Sequence, residues 1–319
     1  MRTCKMAPRP CGTMEPAIIN SAGNKFMAII FYLIIFIFGL IIGSFLNVVI
    51  CRLESGEKII NDRSRCPRCK HILAWYDLIP VLSFVFLKGK CRYCKSPVSL
   101  QYPLVEIVTA IMFVLILNFK FLIPTTPYPL LAKEGIYPIS NIQYPILYLL
   151  FWFYITSSLI IIFVYDLKHY IIPDKVVYPA IGFTFIYKLF EILKFGYWEL
   201  IGNWKLEIGN LITALNPLVA AILAAVFFLG IVIFTRGRGM GGGDVKLAFL
   251  MGLLLGWPLV IVAVFSSFIL GSIVGIFLIL AGKKKMKSMI PFGPFLVIGT
   301  FLALFWGEKI IKWYLNILH

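Results

Sequence analysis

The sequence predicts an all-α polytopic membrane protein, with about eight transmembrane helices and a small zinc-binding cytoplasmic loop between the first two. Three observations carry this. Of 319 residues, 61% are hydrophobic and only 14% charged, with a mean hydropathy of +0.93. Soluble domains carry about 25% charged residues, and a core of this size cannot hide so much apolar surface. Apolar runs of spanning length, about 20 residues each, recur along the chain. Four of the seven cysteines sit in one polar loop as two C-x-x-C pairs. The same composition excludes collagen-like, coiled-coil and disordered chains.

Residues 1–26 form an N-terminal extension without periodicity, holding Cys4 and Cys11. It lacks the basic region, short apolar core and small-residue cleavage site of a signal peptide. Met27 opens the first span, about 27–50. A polar stretch over 51–102 follows, then a second span over about 103–123 and a Pro-rich linker. The remaining spans fall at about 145–165, 176–193, 217–234, 245–256, 259–281 and 290–317, with a linker rich in Gly, Asn and Trp over 194–215. A tight turn at Gly256–Pro258 separates the sixth from the seventh. This divides the chain into 1–26, a two-span unit with its cysteine loop at 27–123, and a six-span unit at 145–317.

Charge orients the spans. Lys and Arg number 30 against 14 Asp and Glu. In a soluble chain that excess points to nucleic acid; here it points to basic cytoplasmic loops, and no nucleic-acid partner is expected. The alternate loops 51–102, 166–175, 236–246 and 282–288 hold 19 basic residues, against 11 elsewhere. The cluster Lys283–Lys287 fits the same rule. The cysteine loop is therefore expected in the cytoplasm.

Five aspartates occur: Asp62 and Asp77 in the polar loop, and Asp166, Asp174 and Asp244 where spans begin or end. Acids at membrane depth are costly and usually functional; the bland alternative is a solvated helix cap. Asp244 follows Gly241, Gly242 and Gly243, and glycine permits close backbone approach and positive φ. That would let Asp244 sit inside the bundle beside an extended peptide. A phosphate loop fits poorly, because the spaced G-x-x-x-x-G-K-[ST] pattern is missing. Two spans separate Asp166 from Asp244, so both fall on the cytoplasmic side. Two converging carboxylates share one proton, so one acts as base and the other as acid toward water and a peptide carbonyl.

The polar loop reads C-x2-C-x21-C-x2-C through Cys66, Cys69, Cys91 and Cys94. Four thiolates suit one tetrahedral zinc per chain, in a closed and therefore structural site. His71 is a competing ligand only in principle, and Cys51 reads as an ordinary residue. Glu106 lies just inside the second span. Gly43, Ser44 and Asn47 near the end of the first read as helix-packing or capping positions.

These motifs resemble the type IV prepilin peptidases, the bifunctional leader peptidase/N-methyltransferases. The likeness runs through GSFLNVVICRL, RSRCPRCKHI, LKGKCRYCKSPVSLQYPLVE, YDLKHYIIPD and GMGGGDVKLAFLMGLLLGW. It covers nearly all of 27–306 and implies a G-x-G-D intramembrane aspartyl protease, with Gly241 and Gly243 supporting the catalytic loop. Asp166 and Asp244 become the expected catalytic pair. The resemblance implies cleavage of the basic leader of prepilins and pseudopilins, after a glycine, at the cytoplasmic face of the bacterial inner membrane. It also implies N-methylation of the new N-terminal residue with S-adenosyl-L-methionine as donor, the cysteine loop belonging to that half. No Rossmann glycine fingerprint occurs, so the donor-binding residues stay unknown at this point. Two alternatives are a cleavage-only preflagellin-type peptidase, disfavoured by the intact cysteine loop, and a transporter or assembly factor, whose acids would be spread along the spans.

Overall fold

The structure, a computed structural model, describes residues 21–56, 63–122, 145–202, 208–237, 240–282 and 290–318. Cys4, Cys11, Asp62, Gly239 and Lys283–Lys287 lie outside the described residues, as does the Pro-rich linker. The helices in chain order are α1 (Ser21–Ser55), α2 (Leu82–Phe86), α3 (Gln101–Ile116), α4 (Pro145–His169), α5 (Asp174–Gly202), α6 (Ile208–Phe234), α7 (Gly242–Leu255), α8 (Leu259–Leu280) and α9 (Gly293–Leu318). Among the described residues there is no strand, only isolated bridges in the cysteine loop. The all-helical membrane architecture stands.

The expected number of eight spans is not confirmed. Among the described residues six helices, α1, α3, α4, α6, α8 and α9, are long and apolar enough to cross a membrane. Helices occur at the two remaining places, each outside that set for a physical reason. Helix α5 carries Asp174, Lys175, Lys188 and Glu191 within its first 18 residues, and α7 has only 14 residues. The expected linker over 194–215 is corrected, since α5 runs on to Gly202 and α6 starts at Ile208. The first helix begins at Ser21, six residues before the expected start of the span.

Helix α4 is the hub. Of its spanning window 56% is buried, against 17% for α8, which faces outward. It packs on α3, α5 and α9, while α7 is enclosed by α5, α6 and α9. Aromatic rings fill these seams: Phe113 of α3 stacks on Phe153 of α4 at 4.0 Å, and Phe151 of α4 stacks on Tyr187 of α5 at 4.0 Å. Offset stacking of this kind adds about 0.5–1.5 kcal/mol beyond area burial.

Close crossings rest on small residues. A Cβ at Gly39 would fall 2.5 Å from Ala110 Cα, and one at Gly43 would fall 2.6 Å from Glu106 Cα. The packing reading of Gly43 is therefore supported, and the G-x-x-x-G spacing lets α1 meet α3 backbone to backbone. Gly252 does the same between α7 and α6, against Ala221. Gly256, at φ +69°, ends α7 where a side chain is disfavoured, and Asn216 of α6 brackets the following Trp257 through its backbone N–H and C=O.

Candidate active site and metal centre

Asp166 lies in the last turn of α4 and is 4% exposed; Asp244 lies in the first turn of α7 and is 7% exposed. Both meet at the α4–α5 turn: Gly243, next to Asp244, and Gly293, against the Asp166 carboxylate, each abut Ile172. Neither is a solvated cap. The Gly241 N–H donates to Asp244 Oδ2 at 3.1 Å, and the Asp244 N–H donates to the Gly241 carbonyl at 3.2 Å. A helix N-terminus favours a carboxylate there.

The glycines work through space rather than through positive φ. Gly241 has extended backbone, and none of Gly241–Gly243 has positive φ. At Gly243 a Cβ would fall 3.0 Å from Ile172 Cβ, so a side chain would press on Ile172 where α7 passes the α4–α5 turn. Gly293, at the start of α9, is a residue that sequence reasoning missed. A Cβ there would fall 2.5 Å from Asp166 Oδ2 and 3.4 Å from Ile172 Cδ1. Asp166 Oδ2 is buried against this backbone without a well-formed hydrogen bond among the described residues. An acid with a bare, buried acceptor is costly to fold around and suits a group that must bind water or substrate.

Asp174 is elsewhere. It opens α5, its side chain is 58% exposed, and its Oδ1 accepts from Lys246 Nζ of α7 at 2.7 Å. Lys246 also lies over the Tyr178 ring at 4.8 Å. This pair fastens α5 to α7 two residues from Asp244.

The cysteine loop forms two matching knuckles. In the first, the Cys66 N–H donates to the His71 carbonyl (3.0 Å), the Lys70 N–H to the Cys66 carbonyl (2.9 Å) and the Leu73 N–H to the Ser64 carbonyl (2.9 Å). In the second, Cys91 N–H bonds Ser96 (2.8 Å), Lys95 N–H bonds Cys91 (2.9 Å) and Val98 N–H bonds Gly89 (2.8 Å). Every bond recurs 25 positions along. Lys70 and Lys95, at φ 58° and 56°, make the same left-handed turn. The four sulfurs lie within 4.8 Å of one another, and Cys66 and Cys94 are 3.9 Å apart. Four sulfurs at about 2.3 Å from a tetrahedral zinc are about 3.8 Å from each other, so the cluster could hold such a metal. His71 is a bystander, its ring on Tyr93 at 3.7 Å. Asp77 braces the loop by accepting from Arg92 Nε at 2.7 Å.

The crowded thiols divide their protons unevenly. The His71 N–H favours a Cys69 thiolate, but burial and the sulfurs of Cys66 and Cys94 outweigh it and push this thiol up to about 11. The Ser96 hydroxyl and N–H hold Cys94 down at about 6. Thiolates that repel one another in this way are what a cation among them would relieve.

A cavity of about 820 Å³ opens between this loop and the loop-side ends of α1, α3 and α4. Ser44, Asn47, Cys51, Glu106 and Lys168 line it along with Cys66 and Cys91. The Cys51 sulfur is 3.4 Å from the Tyr102 hydroxyl, and both residues line the cavity wall. Lys168 stands two residues beyond Asp166, so the loop and the paired acids lie at the same end of α4.

Comparison with known proteins separates the same two regions. The Bacterial Peptidase A24 N-terminal domain model matches residues 37–119, which hold all four clustered cysteines. The Type IV leader peptidase family model matches 152–276, which hold Asp166 and Asp244. A prepilin leader peptidase/N-methyltransferase of Bacillus subtilis (strain 168) is 33% identical over 89% of this chain and 97% of its own. The chain belongs to the type IV leader peptidase family. Other relatives of this leader peptidase carry the same description. The one from Legionella pneumophila is 31% identical over 89% of this chain and 94% of its own. That from Aeromonas salmonicida (strain A449) is 30% identical over 90% and 94%. No solved structure matches the chain.

Proposed function

We propose that this protein removes the leader peptide of type IV prepilins and pseudopilins at the cytoplasmic face of a bacterial inner membrane, and then N-methylates the new N-terminal residue. The observation that carries cleavage is the pairing of two buried carboxylates, Asp166 and Asp244, from different helices at one end of the bundle. Two such groups cannot both ionise cheaply, so one proton is shared. The ionised member draws a proton from water, whose oxygen attacks the scissile carbonyl. The protonated member gives its proton to the carbonyl oxygen and later recovers it as the leaving amine is protonated. Gly241 orients Asp244, and the hydrogens of Gly243 and Gly293 leave room for the α4–α5 turn and for Asp166.

Methyl transfer belongs to the unit 27–123, and peptide cleavage to 145–317. Cys66, Cys69, Cys91 and Cys94 hold one structural zinc, whose closed sulfur shell leaves no catalytic position. S-adenosyl-L-methionine supplies an electrophilic methyl group on sulfur. The cavity between loop and helices lies within the ~300–1,000 Å³ range of small-molecule sites, and it is our candidate for the donor site. The clustering of buried acids Asp166, Asp244 and Glu106 at one end favours this reading over a proton-relaying transporter.

The deciding experiment incubates the purified protein with a prepilin and the methyl donor. The product is expected to lose its leader mass and gain one methyl group. An uncut prepilin overturns the peptidase; cleavage without methyl gain selects the cleavage-only alternative.

A further inference from the structure

Asn47 is 2% exposed and sits on α1 where α3 crosses it. Its Nδ2 donates to the carbonyls of Tyr102 (3.0 Å) and Gly43 (3.3 Å). Two carbonyl acceptors require the amide nitrogen on that side, which fixes the orientation of the group. Asn47 Oδ1 is left buried with no hydrogen-bond partner among the described residues. An orphaned acceptor at such depth costs about 1–3 kcal/mol, and this one lies on a residue that lines the cavity. Glu106, 7% exposed, lines the same cavity, and its Cα is the atom that a Cβ on Gly43, one turn before Asn47, would meet at 2.6 Å. Glu106 Oε2 accepts the Val81 N–H at 2.7 Å, and the Ser44 hydroxyl is within hydrogen-bonding reach. The corner thus offers acceptors, one of them a carboxylate held in place by loop and helix. Its natural occupant is a donor-rich, basic nitrogen.

Resting on the reading of methyl transfer above, we propose that Asn47 and Glu106 form the amine subsite. Asn47 Oδ1 orients the primary amine of a cleaved peptide, and the Glu106 carboxylate accepts its proton. The ammonium gives one proton to Glu106, which frees the nitrogen lone pair. That pair forms the new N–C bond as the C–S bond of the sulfonium donor breaks, its electrons returning to sulfur. The products are a methylated ammonium and a neutral thioether; Glu106 returns its proton to water. The rest of the wall assists. Arg52 from α1, Arg63, Arg65, Lys70, Lys90 and Arg92 from the loop, and Lys168 from α4 line the cavity, outnumbering Glu54, Asp77 and Glu106. Surrounding cations disfavour an ammonium and favour the neutral amine that reacts. Cys51 and Tyr102 also face this space. Lys168, two residues from Asp166, places the subsite beside the end of α4 where the amine is created.

The test compares wild type with Glu106→Gln on a pre-cleaved pilin peptide, at saturating donor, across a pH series, with leader cleavage and zinc content measured in parallel. The expected result is at least a tenfold loss of methylation near neutral pH, shrinking as alkaline buffer deprotonates the amine, with cleavage within about twofold of wild type. Unchanged methylation, or an equal loss at every pH, overturns the subsite. If Glu106→Gln loses zinc or cleavage, Glu106→Asp decides. Retained methylation that falls with decreasing pH supports the carboxylate, and a pH-independent loss overturns it. A wild-type protein that never methylates the peptide would instead refute the broader methyltransferase reading.

Discussion

Gly293 lies directly against Asp166, so that a Cβ on the glycine would come within 2.5 Å of the carboxylate Oδ2. The contact joins the start of α9 to the end of α4 across 127 positions of sequence. We expect Gly293→Val to reduce leader cleavage at least tenfold, because the carboxylate must turn away from the paired acid. Methylation of a pre-cleaved peptide should stay within about twofold. Mass spectra of the two products check both halves.

The paired acids carry a sharper expectation. Asp166→Asn and Asp244→Asn should each reduce cleavage by about a thousandfold or more, since residues that act as a unit fail together. The double variant should be no worse than either single one. Retention of near-normal cleavage by either variant would remove that residue from the chemistry.

Asp174 and Lys246 should matter much less. Their ion pair is half exposed, and such pairs contribute under about 1 kcal/mol. Asp174→Asn is expected to lower cleavage by a few fold and melting by a few degrees. Exchanging the two residues, Asp174→Lys with Lys246→Asp, should restore most of the loss. A thousandfold effect of Asp174→Asn would mean that it acts directly on substrate.

The metal is tested by elemental analysis. Purified protein should carry one zinc per chain, lost when Cys66 and Cys94 are both replaced by Ser. Cys66→Ser with Cys69→Ser should lower methylation more than cleavage, since the knuckles wall the cavity and carry neither Asp166 nor Asp244. Equal loss of both activities would make the loop a general scaffold.

The parts legible in the sequence are those whose partners are close in the chain or whose chemistry is rare. The C-x-x-C pairs announce a metal site because four thiols have few other uses at that spacing. Asp166 and Asp244 stand out because acids are scarce among apolar runs. Their shared side follows from counting α5 and α6 as two crossings between them. Gly293 was invisible, since nothing near it in sequence hints at Asp166. The unpartnered Oδ1 of Asn47 was equally invisible, because only the geometry exposes an acceptor left over after its nitrogen is used. The matching knuckles, by contrast, could have been found: the string C-x-x-C-K occurs twice, 25 residues apart.

The length of α7 has a consequence for where water can go. Fourteen residues rise about 21 Å, whereas the hydrocarbon layer is about 30 Å deep. A helix of that length cannot cross the layer alone, and peptide groups beyond its ends need partners other than lipid. Enclosure by α5, α6 and α9 keeps lipid away. A helix this short, with Asp244 in its first turn, would let water approach the acid from one side of the membrane. An enzyme built this way would bring the solvent down to the bond it hydrolyses, and the membrane-embedded end of its substrate would not need to rise to the surface to be cut.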